Sequence, residues 1–92
     1  MHGEYKVPGG KLVAADFEIN SENQIYNIYI SGDFFLEPPE TIDIINSSLE
    51  GISIKSTELV IKEKIESNLP KNTKLLGFSC EAIAIAIKKA LE

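Results

Sequence analysis

Two lysines flank a proline and a pair of glycines in Lys6-Val7-Pro8-Gly9-Gly10-Lys11. Glycines let backbone N–H groups come close to an anion, and the flanking ammonium groups add positive charge, so this segment is suited to meet a phosphate. It is not a P-loop. That motif needs a glycine where Tyr5 stands and a Ser or Thr where Leu12 stands, between a strand and a helix. The same residues also make an ordinary hairpin turn with solvated lysines. A second segment, Ile30-Ser31-Gly32-Asp33-Phe34-Phe35, interrupts a strand with glycine and then presents two adjacent aromatics that must face different ways. One ring can pack inward while the other covers a partner or a turn; the alternative is a hydrophobic plug at the strand exit.

The third candidate is Cys80, which opens a helix behind Ser79. A helix amino end favours a thiolate and would lower the thiol pKa, whereas free cysteines are more often inert and buried. The single histidine, His2, lies at a terminus expected to fray, so no base supports Cys80 as a nucleophile. Asp16 and Glu18 share a strand face and read as solvated charges. Asn46-Ser47-Ser48 fits the N-glycosylation pattern, which carries no meaning without a secretory signal. No metal-ligand cluster, catalytic triad or nucleotide fingerprint appears, so no catalytic and no metal-binding residue is assigned.

These residues need elements to position them. Glu4–Val7 reads as a strand ending at the turn Pro8-Gly9-Gly10. From Lys11 to Asn20 the apolar residues alternate, with Val13, Ala15, Phe17 and Ile19 on one face. A polar connection, Asn20–Asn23, leads to a third strand, Gln24–Ser31, with Tyr26, Ile28 and Ile30 expected on one face. Pro38 and Pro39 suit a helix start, Ile42, Ile45 and Leu49 follow at helical spacing, and Gly51 stops the helix. Ser56 or Thr57 caps a second helix carrying Ile61, Ile65 and Leu69, and Pro70–Gly77 is a loop or short extended piece. Ser79 caps a third helix, Cys80–Leu91, with Ile83, Ile87 and Leu91 on its apolar face. Three strands then three helices predict an α+β fold: a three-stranded antiparallel sheet with three helices packed on one face. The other face, with Leu12, Ala14, Asp16, Asn27 and Tyr29, is left to water or a partner.

At 92 residues the chain makes a single domain, residues 1–92, with one core and little mass to enclose a deep active site. Its net charge is −5, from fourteen acidic residues against nine lysines and no arginine. That balance disfavours nucleic acid, whose affinity comes from clustered positive charge. A lone cysteine excludes an internal disulfide and suits a reducing compartment. No apolar run is long enough to span a bilayer and no signal-peptide core is visible, so a cytoplasmic location is expected. These features describe a binding or accessory domain.

Taken together, Glu4-Tyr5-Lys6-Val7-Pro8-Gly9-Gly10-Lys11-Leu12, Ile30-Ser31-Gly32-Asp33-Phe34-Phe35-Leu36 and the Pro39-Glu40 step resemble the small C-terminal accessory domain of lipoate–protein ligases. The likeness is strongest from Glu4 to about Glu40 and loose in the helices. In many members this domain follows a large adenylating domain. Here Met1 stands just before the motif, so the expectation is a separate small subunit of a two-part ligase. The resemblance implies a non-catalytic accessory subunit, required with the large subunit for ATP-dependent activation of lipoate to lipoyl-AMP in protein lipoylation. Lipoate, ATP and Mg would then be bound in the complex, and lipoyl-acceptor domains reached indirectly. On that reading Lys6, Gly9, Gly10 and Lys11 face the partner's adenylate site, with Lys11 foremost, and Gly32, Asp33 and Phe34 shape a docking surface. The strand-then-helix order and Gly77-Phe78-Ser79-Cys80-Glu81-Ala82-Ile83-Ala84 also resemble iron–sulfur scaffold and sulfur-acceptor proteins. That competing likeness would make Cys80 a persulfide acceptor, although a cluster scaffold needs several thiolates.

Overall fold

The computed structural model describes residues 1–92. Strands β1 (His2–Lys6), β2 (Leu12–Ile19) and β3 (Ile25–Gly32) form an antiparallel sheet in sequence order. Next come a short strand β4 (Phe35–Glu37), helices α1 (Thr41–Leu49) and α2 (Glu58–Glu66), a second short strand β5 (Lys74–Leu76) and helix α3 (Cys80–Ala90). The α+β architecture read from the sequence is borne out, with β4 and β5 added as a separate two-stranded ribbon. The segment Pro70–Gly77, read as a loop or short extended piece, holds β5. Its pairing with β4 is non-local, and three residues give no periodic signal.

The alternation in β2 sends Val13, Ala15 and Phe17 into the core. In β3 the expected face is wrong at one residue. Register shifts between Asp16 and Glu18: Asp16 pairs with Tyr29 but Glu18 with Tyr26, so two residues, Asn27 and Ile28, oppose Phe17. Asn27 takes φ +53°. This bulge reverses the parity, so that Ile25, Ile28 and Ile30 are buried while Tyr26 leaves their face. The Glu50 carboxylate holds the bulge, accepting the N–H groups of Asn27 at 3.0 Å and Ile28 at 2.8 Å. Asn46 Oδ1 accepts the Ile30 N–H at 3.0 Å, so the asparagine of the glycosylation pattern has a structural task. These bonds satisfy an edge that would otherwise offer bare donors for aggregation.

Helix α3 lies under the sheet, and its Cys80, Ala82, Ile83, Ala84, Ala86, Ile87 and Ala90 are all buried. Small residues bring it close to β1, where a Cβ on Gly3 would strike the backbone of Ala86 and Ala90. Helices α1 and α2 complete the core through Ile45, Leu49, Ile61 and Ile65. Thr57 caps α2 and Ser79 caps α3 as expected. Helix α1 starts at Thr41, after a turn through Pro38 and Pro39, and has no side-chain cap. No helix is long and apolar enough to cross a membrane.

Candidate functional site

Three segments far apart in sequence meet at one end of the sheet. The first is the turn after β1, where the Gly10 N–H donates to the Val7 carbonyl at 2.8 Å and Gly9 takes φ +72°. Proline followed by a left-handed glycine makes this a type II turn. The second is the exit from β3, where the Asp33 N–H donates to the Leu12 carbonyl at 3.2 Å. The third is the end of β5, where the Gly77 carbonyl accepts the Lys11 N–H at 2.8 Å. Glycine is required where they touch. A Cβ on Gly10 would sit 2.7 Å from the Gly77 oxygen, and one on Gly77 would sit 2.5 Å from Lys11 Cγ. One on Gly32 would strike the Leu12 carbonyl.

The two lysines of the turn have different tasks. Lys6 Nζ donates to the Gly10 carbonyl at 2.7 Å and the Val7 carbonyl at 3.2 Å, pinning the turn closed. Lys11 is exposed, its chain laid across Gly77, and its ammonium has no hydrogen-bond or ion-pair partner in the chain. The backbone is mostly committed as well. With the N–H groups of Gly10 and Lys11 donating internally and proline lacking one, only Gly9 keeps a free N–H in the turn. The segment is therefore not a cradle of amides. It offers an anion one unpaired ammonium and one amide.

Gly32 and Asp33 are exposed beside this turn. Phe34 turns inward and stacks on Phe78, ring centroids 3.9 Å apart and 17° from parallel. The outward ring is that of Phe35, which pairs across the ribbon with Leu76. The divergence of the two aromatics follows from their adjacency in the sequence, whereas nothing local points to Leu76 or Gly77 at this site. Only the β4–β5 pairing brings them there.

The other candidates lie elsewhere. Cys80 is buried, and burial, assisted by the nearby Glu66 carboxylate and opposed by Lys62, pushes its thiol up to about 11. The lowered pKa that the helix start allows is thus overturned: desolvation outweighs the helix amino end. The sulfur-acceptor reading finds no support here, since a thiol at about 11 is almost wholly protonated near neutrality. His2 is not frayed. It sits in β1 opposite Asp16, and the Met1 nitrogen donates to the Phe17 carbonyl at 2.7 Å. Its ring reaches the Asp16 carboxylate at 2.6 Å and that of Glu4 at 2.8 Å. Both acceptors favour the imidazolium, with Glu4 the larger cause, so the His2 pKa is raised. Of the open sheet face, Asn27 and Tyr29 are exposed, but Ala14 is buried.

No protein-family model matches this chain, and no curated protein does. Among solved structures, a chain from an archaeal lipoylation system of Thermoplasma acidophilum, a bi-partite lipoate protein ligase with its E2 lipoyl domain, superposes with a TM-score of 0.68. The two are 26% identical, over 95% of this chain and 97% of that one. This chain is a structural relative of a two-part lipoate protein ligase system. The resemblance carried by the Glu4–Leu12 and Ile30–Leu36 motifs is borne out by that match. Both motifs fall in the convergent end, one supplying Lys11 and the other Gly32 to Phe35.

Proposed function

We propose that this chain is the non-catalytic small subunit of a lipoate–protein ligase, required with a large subunit to activate lipoate as lipoyl-AMP. The match to a chain of the two-part ligase system over nearly the full length of both carries this reading. The unpaired Lys11 supports it, because an exposed ammonium on a glycine-walled turn is suited to reach an anion held by another protein. Lipoate, ATP and Mg belong to the large subunit's pockets, and this chain's own offer to them is Lys11 with the Gly9 amide. In activation, a lipoate carboxylate oxygen attacks the α-phosphorus of ATP and pyrophosphate leaves. Negative charge shifts onto the departing phosphates, where an approaching ammonium lowers the barrier and a closing domain excludes water. In transfer, an acceptor lysine amine attacks the acyl carbon and AMP leaves, with no pyrophosphate to stabilise. Lys11 is therefore assigned to the first step. Lys6 acts through the turn by holding its carbonyls. The reaction draws on ATP, and we take the cytoplasm as its compartment.

The test is reconstitution. A purified candidate large subunit, lipoate and ATP are assayed for lipoyl-AMP with and without this chain, and transfer is assayed separately from preformed lipoyl-AMP. Product only in the presence of both chains is the expected result. Equal activation by the large subunit alone would end the accessory-subunit reading.

A further inference from the structure

On the outer face of the β4–β5 ribbon, Phe35 and Leu76 stand directly opposite each other, 66% and 46% exposed. Their neighbours Leu36 and Leu75 point the other way and pack against the core. The ribbon is thus apolar on both sides, although only one side is covered. Leu76 immediately precedes Gly77, across which the free Lys11 side chain lies. The exposed aliphatic–aromatic pair thus adjoins, through Gly77, the segment that carries the unpaired Lys11, in a chain whose net charge is −5. Farther along the ribbon, Glu37 faces Lys74 and gives the patch a mixed polar rim.

We propose that Phe35 and Leu76 form the apolar anchor by which this chain docks on the adenylating subunit of a two-part ligase; this rests on the function proposed above. The occupant follows from charge and area. The complementary surface is an apolar pocket beside an anion, which a subunit holding nucleotide phosphates presents. A second copy of this chain would bring the same ammonium and no phosphate. The pair alone offers on the order of a few hundred Å², whereas a stable interface buries roughly 1,200–2,000 Å² in total. It is a central anchor within a larger contact that extends over the turn, as binding hot spots are. Docking through the ribbon carries Lys11 to the partner without Lys11 supplying the affinity.

The experiment titrates the purified large subunit with this chain by calorimetry and follows lipoyl-AMP formation over the same concentrations. Phe35→Ser and Leu76→Ser are each expected to weaken binding at least tenfold, and the double variant further. Lipoyl-AMP formation should approach its plateau only at a correspondingly higher concentration of each variant chain. Tyr29→Ser, 61% exposed on the open face of the main sheet, should leave binding unchanged. Circular dichroism establishes that each variant is folded. If the folded double variant binds like wild type, the anchor is wrong and the accessory-subunit reading survives. If the wild-type chain itself does not bind the large subunit, both fail. A homodimer in sedimentation that Phe35→Ser dissociates, with no change in binding to the large subunit, would assign the patch to a second copy and overturn the proposal.

Discussion

Lys11 and Cys80 are both tied to Gly77, one through its backbone N–H and side chain, the other three residues farther along the chain. Each has the local features of a reactive residue: an ammonium beside two glycines, a thiol at a helix start. Folding separates them. The turn is closed by its own hydrogen bonds and by Lys6, which leaves Lys11 free in water. Cys80 is buried as part of the core, where removing water from the thiolate costs more than the helix amino end returns. What distinguishes a usable group from an inert one here is solvation, which neighbouring residue types do not report.

Activity separates the two residues most directly. Lys11→Ala should slow lipoyl-AMP formation about a hundredfold, the scale of losing one electrostatic contact to developing charge, and slow transfer from preformed lipoyl-AMP far less. Cys80→Ala should leave both steps within about twofold. The reverse ranking would exchange the roles of the two residues. Gly77→Ala probes how Lys11 is held. The new methyl meets Lys11 Cγ at a backbone with φ +88°, so stability should fall by on the order of 2 kcal/mol, about 10 °C in Tm for a domain of this size. An unchanged Tm, measured calorimetrically, would mean that the turn gives way freely. The smallest effect concerns pH. The folded Cys80 pKa, about 11, lies above the ordinary 9.0, so the folded state binds the thiol proton more tightly than the unfolded one. Stability from this group is full below about pH 9 and is lost as pH rises toward 11. Alkylation of the folded chain should accordingly be slow at neutral pH and rise about tenfold per pH unit. Rapid neutral alkylation under native conditions would contradict the burial of this thiol.

Elements with strong periodicity were legible without coordinates. The alternation Val13, Ala15, Phe17 identified β2 and its buried face, and Thr57 and Ser79 marked two helix starts within a residue. The turn at Pro8-Gly9-Gly10 was equally plain, because proline and a left-handed glycine leave the backbone few alternatives. Less could be read from β3. One extra residue at Asn27 moves Tyr26 off the buried face, and the carboxylate that stabilises it, Glu50, lies on the far side of a helix. The order of the His2 side chain is likewise not legible in the sequence, because its partners Glu4 and Asp16 meet it only through strand pairing.

For the candidate site the division falls between identity and arrangement. Residue type and spacing alone determined that a cation-flanked glycine turn and a glycine–aromatic strand exit exist in this chain, since both follow from local chain geometry. Tertiary structure decided that they adjoin, that Lys6 is occupied and Lys11 free, that Phe35 rather than Phe34 faces outward, and that Leu76 completes its pair. The physical reason is that β4 and β5 pair across more than thirty residues. Contacts of that separation are set by which surfaces the whole core leaves uncovered, and no local pattern in either segment encodes them.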